Sequence, residues 1–186
     1  YISHKAYLIM SQLKVNSIVP VGGLPSGATA GGIIQVVQTV KTDDFSTAVS
    51  TGNYNQITGL SCTITPSTNS SKILLHAVIV GNNNANNVHC GFEIRNGSTR
   101  LTGYQHTGTI GSRTPAMSSS INSGTGPLIT VPIYAMDSPA STSAQTYNVF
   151  VSTEGYTWYL NRGQDGNNQA QNYAGISTLT AYEVGV

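Results

Sequence analysis

Nowhere in this 186-residue chain do apolar residues recur at i, i+3, i+4 and i+7 with good helix formers between them. What recurs instead is a short β-branched run closed by Gly, Asn, Ser or Pro, a pattern that points to an all-β fold. Residues 33–41 (IIQVVQTVK) are apolar on both parities, as expected of a strand covered on both sides. In 53–66 the apolar positions are Ile57, Leu60, Cys62 and Ile64, with Pro66 as the stop. Residues 72–81 (KILLHAVIVG) are the most apolar run and predict a central strand. The segment 88–101 reads as a hairpin turning at Asn96-Gly97. Further strands are expected at 115–122, 127–134, 146–153, 156–162 and 175–184, with a second tight turn at Glu154-Gly155. The cluster NNNANN at 82–87 is a loop by composition. Many short strands between polar turns predict an antiparallel two-sheet, jelly-roll-like sandwich over residues 33–186.

Residues 1–32 differ from the rest. A short apolar alternation at Leu13, Val15 and Ile18 leads into Pro20, Gly22, Gly23, Pro25, Gly27, Gly31 and Gly32. Gly and Pro at this density oppose both helix and continuous ladder pairing. The segment reads as an extended N-terminal arm with a Gly/Pro-rich linker, suited to attachment to a larger body through Leu13, Val15 and Ile18. Met10 reads as an initiator, and residues 1–9 lack the basic start, apolar run and small-residue cleavage site of a signal peptide.

Only 8% of the residues are charged, against about 25% in an average soluble domain. Ser, Thr, Asn, Gln and Gly meet water instead. A net charge of +1 supplies no counterion-release drive toward nucleic acid. No window approaches 18 uninterrupted apolar residues, so no membrane insertion is expected. Cys62 and Cys90 allow at most one disulfide, and the reading favoured here is two buried thiols.

The blocks MSQLKVNSIVPVGGLPSG, GGIIQVVQTVKTDDFST, ITGLSCTITPSTNSSKILL and GISTLTAYEV resemble a family of virion structural proteins of tailed phages, marine and cyanobacterial ones in particular. The resemblance covers most of residues 10–186, and its motifs are structural rather than catalytic. It implies an arm and linker ahead of a β domain, in a fibre, knob or decoration protein. The stretches 82–87 and 164–173 stand outside the family's pattern and are natural places for a protein-specific surface.

The search for chemistry finds little. His76 faces away from Leu75 and Ala77 in its strand, and His89 and Cys90, as neighbours, point to opposite faces. The pair Asp43-Asp44 diverges on a strand, whereas glycosidase carboxyls must converge. No lysine follows the Gly-rich segment as a phosphate loop requires, and Asp165-Gly166-Asn167-Asn168 lacks spaced calcium ligands. No catalytic residue, cofactor or metal is expected. Aromatics beside amide-rich turns are a better lead, because sugars bind by ring stacking plus amide and hydroxyl hydrogen bonds. The contact set comprises Tyr104, Trp158, Tyr159, Tyr173, Asn83 and Asn84. Read the other way, the same rings close the sandwich ends or an intersubunit seam, and Trp158 alternates like a core residue.

The expectation is a non-enzymatic virion structural protein exposed on the particle, most simply a tail fibre or knob. Its partners would be other virion proteins, further copies of itself (a trimer by analogy with other jelly rolls) and a host-surface glycan. The rival is a capsid decoration protein. From another class, a secreted lectin or small glycan hydrolase would require convergent carboxylates or a metal cluster.

Overall fold

Alternation of buried and more exposed side chains runs through several strands of the computed structural model, which describes residues 32–108, 111–121, 128–163 and 173–185. In chain order these are β1 (Ile33–Lys41), β2 (Phe45–Ala48), β3 (Asn55–Ile64), β4 (Lys72–Asn83), β5 (His89–Asn96), β6 (Thr99–Arg100), β7 (Ser118–Ile121), β8 (Ile129–Asp137), β9 (Gln145–Ser152), β10 (Thr157–Leu160) and β11 (Ser177–Val184). Residues 1–31, and with them the arm residues Leu13, Val15 and Ile18, lie outside the described residues.

All pairings are antiparallel, in two sheets. In the first, β4 pairs with β8 along one edge and with β11, then β10, along the other; β1 lies outside β11 and β2 outside β10. In the second the order is β3-β9-β5, with β6 and β7 both against β5. Stripped of the short strands β2, β6 and β10, this leaves β1-β11-β4-β8 facing β3-β9-β5-β7. That is the eight-stranded order of a jelly roll, as expected. The core fills the gap between the sheets: Ile73, Leu75, Ala77 and Ile79 of β4 face Ile57, Leu60 and Ile64 of β3, Phe92 and Ile94 of β5 and Val149 of β9, all fully buried.

Asn161, fully buried and held at φ 63°, locks one end of the first sheet. Its amide donates to the carbonyls of Lys41 (2.8 Å) and Asp43 (2.9 Å), and its carbonyl oxygen accepts from the Ser177 hydroxyl at 2.8 Å. At the other end Glu183 points inward and accepts from the Ser67 N–H and hydroxyl (both 2.6 Å) and from the Ser71 hydroxyl (2.7 Å). These buried polar groups survive because they are paired.

Three differences from the sequence reading matter. Residues 33–41 were expected to be covered on both sides, yet Ile34, Val36 and Val40 are about half exposed, because β1 packs inward only through its odd-numbered residues. The Glu154-Gly155 turn is present, with Gly155 at φ 95°, but it carries the chain from β9 in one sheet to β10 in the other rather than closing a hairpin. Strand β2, four residues long, has no counterpart in the pattern analysis. The Asn96-Gly97 hairpin forms as expected, with Gly97 at φ 58°, and Cys62 and Cys90 are buried free thiols. Among the described residues no helix is long and apolar enough to cross a membrane.

Candidate functional site: a polar cleft and an apolar sheet face

Strand directions gather the connections 42–54, 84–88 and 153–156, with the approach to Ser177, at one end of the sandwich. The connections 65–71 and 138–144 lie at the opposite end. The expected contact residues are divided between these places. Tyr173, 78% exposed, is at the first end. Tyr104 is near the opposite one, where its hydroxyl accepts the Met136 N–H at 2.8 Å. Tyr159 is half-buried beneath the Arg162 guanidinium, 4.2 Å from its ring centroid.

Two of the expected contacts are corrected. Trp158 is fully buried and meets Phe92 edge-on at 5.0 Å and 76°, so it is core. Asn83 is also fully buried; its carbonyl oxygen accepts the Ala85 N–H and its amide reaches the Val88 carbonyl and the Cys90 sulfur, fastening the turn. Asn84 caps β10, exchanging hydrogen bonds with both backbone groups of Thr157. The loop expected at 82–87 therefore begins only at Asn84: Asn82 and Asn83 close β4 by pairing with β10, and the side chains of Asn82, Asn83 and Asn84 bond backbone groups around the turn.

A cleft of about 340 Å³ opens instead on the outer face of the second sheet, close to the first end. Its walls come from Thr51–Tyr54, the start of β5, Ser112–Ala116 and the end of β9. His89 Nδ1 lies 2.8 Å from Glu154 Oε1, with both side chains exposed. Thr51, Ser112, Thr114, Ser119, Ser152 and Thr153 add hydroxyls, and Arg113 adds a cation. Tyr54 supplies an aromatic wall. Its hydroxyl donates to the Pro115 carbonyl at 2.6 Å, and the Arg95 and Arg100 guanidiniums each sit 5.3 Å from its ring. Both arginines also bond the buried carboxylate of Glu93, which stiffens that wall. Burial, then the Glu93 charge, holds the Tyr54 phenol far above its usual pKa, so it stays neutral.

Chemically the cleft offers donors, acceptors and a ring. Cys90, next to His89, points into the core, and burial pushes its thiol up to about 11. Among the described residues no group of three or more His, Cys, Asp and Glu converges as a metal site. Composition did not reveal this cleft, because His89 and Glu154 are 65 residues apart and meet only through the β5–β9 pairing.

The second feature is the outer face of the first sheet. Register places three rows across β1, β11, β4 and β8: Val36–Tyr182–Leu74–Met136, Gln38–Thr180–His76–Tyr134 and Val40–Thr178–Val78–Pro132. His76 stacks on Tyr134 at 4.4 Å and 6°, and the Gln38 amide donates to the Thr180 hydroxyl at 2.9 Å. Val36 is 55% and Tyr134 65% exposed.

No family model matches the chain, and no curated protein matches it. Among solved structures it is similar to chains of infectious bursal disease virus. To a structure of the Gx strain it is 16% identical with a TM-score of 0.38, over 90% of this chain and 43% of that one. To a mutant VP2 protein in derived T=1 particles it is 15% identical with a TM-score of 0.40, over 91% and 41%. A further structure of virus-derived T=1 particles gives 15% and 0.37, over 91% and 41%. The chain thus spans less than half the length of these chains, and likeness at this level establishes neither a family nor a role.

Proposed function

We propose that this chain is a non-enzymatic virion structural protein of the tail fibre or knob kind. It is fixed to the particle through the segment before Gly32 and presents its jelly roll outward as a homo-oligomer, with a trimer as the expected state. The observation that supports this best is the eight-strand jelly-roll order, a frame shared by viral capsid and lectin domains, in a chain with only 8% charged residues. The step from fold to role is by analogy, and the phage-like sequence blocks point the same way.

The host-surface glycan expected from the sequence is reassigned to the cleft of Tyr54, His89, Arg113 and Glu154. A ring wall surrounded by hydroxyls and one carboxylate suits a sugar, and the cleft volume falls in the range of small-ligand sites. Two measurements test the reading. Antibody–gold labelling of particles should mark the tail. On a glycan array, Glu154→Gln should lose at least tenfold in binding at unchanged melting temperature. Unlabelled particles would overturn the virion role, and indifference to Glu154→Gln would overturn the glycan site. A second reading, a capsid decoration protein, is favoured by the apolar outer face of the first sheet and predicts gold on the shell.

A further inference from the structure

We infer that the outer face of the β1-β11-β4-β8 sheet is where a neighbouring copy of this chain docks. The inference rests on the homo-oligomer in the reading above and names its contact surface. Residues 33–41 and 72–80 are apolar on both parities, the signature of strands buried on both faces. Among the described residues the inward parity is covered and the middle of the outer face is partly covered by its own neighbours, Thr180 fully, whereas Ile34, Val36, Val40, Tyr134 and Met136 toward the sheet's sides stand in solvent. The sequence is written for a cover that these described residues do not supply.

Size agrees. Four strands about 4.8 Å apart, over the seven residues from the row of Ile34 to that of Val40 at about 3.4 Å each, present a face of roughly 19 Å by 24 Å, or about 450 Å². Covering it removes about 900 Å² counted on both partners before side-chain relief is added, close to the lower limit of about 1,000 Å² for a specific interface. Patches of this size are uncommon on monomers except at sites of contact.

Chemistry selects the occupant. The three rows hold no charged residue, the next row adds only Lys72 at the margin, and their amide and hydroxyl groups include the Gln38–Thr180 pair, already bonded to each other. Such a face offers a partner a single marginal charge, Lys72, to complement. The matching surface is itself charge-poor, and this chain, at 8% charged residues, provides one. Docking by the free edge of β8 is disfavoured: Pro132 has no N–H, and the Met136 N–H is taken by Tyr104. Whether copies close as a pair or around a threefold axis changes which part of the neighbour lies here, not the face itself.

The test uses the full chain, with mass read by light scattering on size exclusion over a hundredfold dilution. The wild type should run at two or three times 19.5 kDa. Val36→Lys and Tyr134→Lys, each at an exposed position, should fall to the single-chain mass with the β circular-dichroism spectrum intact, while Thr63→Lys on the other sheet should keep the wild-type mass. A monomeric wild type, or an oligomer indifferent to both lysines, overturns the inference. If a monomeric wild type also resists peroxide oxidation at Met136, the cover is the chain's own, which overturns it equally. Gold labelling of particles stands apart from these outcomes, so loss of the interface leaves the virion reading intact, and loss of labelling leaves the interface.

Discussion

Replacing Trp158 separates a core residue from a surface contact more sharply than any other change. The indole is fully buried, packs edge-on against Phe92 at 5.0 Å, and sits so close to Gly81 that a Cβ there would lie 2.6 Å from its Cζ2 atom. Trp158→Ala removes nearly all of this packing and leaves a cavity between β4, β5 and β10, at a cost of about 3–5 kcal/mol. For a domain of this size each kcal/mol moves the melting temperature by about 2–4 °C, so the midpoint should fall by about 6–20 °C. Trp158→Phe should cost less than half as much. It keeps the ring in contact with Phe92 and deletes an Nε1–H that has no hydrogen-bond partner in the core, a group whose burial itself costs about 1–3 kcal/mol. Far-UV circular dichroism against temperature reads both variants, since the sole tryptophan is lost in each. A shift below about 2 °C for Trp158→Ala, with host adsorption abolished, would refute the core assignment and restore the ring to a binding surface.

Asn161→Gly should cost about 2–3 kcal/mol, by stranding the Lys41 and Asp43 carbonyls and the Ser177 hydroxyl. Asn161→Ala should cost about 1 kcal/mol more, because φ 63° suits glycine better than alanine; denaturant titration giving the opposite order would contradict the strain argument. At Glu183, burial raises the carboxyl pKa, but the Ser67 and Ser71 hydrogen bonds outweigh it and hold the value below the usual range. A depressed folded value means stability present above the unfolded pKa of about 4.3 and lost as pH falls through the folded one. Urea midpoints should therefore decline on the acid side in the wild type and more shallowly in a less stable Glu183→Gln; parallel profiles would rule this out. Burial pushes both thiols up to about 11, so a disulfide-exchange reagent at neutral pH should titrate neither Cys62 nor Cys90 in the native chain and both after unfolding. Prompt reaction of either thiol would contradict the packing.

Strand identity was legible in the sequence wherever its cause is local. The central run 72–81 and the Asn96-Gly97 hairpin follow from side-chain patterning and turn chemistry within about ten residues, and the buried thiols from the general burial of free cysteine. Strand β2 was not legible, because FSTA carries a single large apolar side chain and is a strand only by pairing with β10. Composition likewise marked Asn83 as a surface residue, since it registers polar turns but not which way a strand end points, and it left Trp158 open between ligand contact and the core that its alternation suggested. Tertiary structure alone decided that Asn83 lies inside and that the core reading of Trp158 holds, that His89 finds Glu154 across 65 residues, and that the described residues leave one face of β1 bare. The physical reason is the same throughout. Periodicity says that a face must be buried, whereas register between distant strands decides which face is buried and against what.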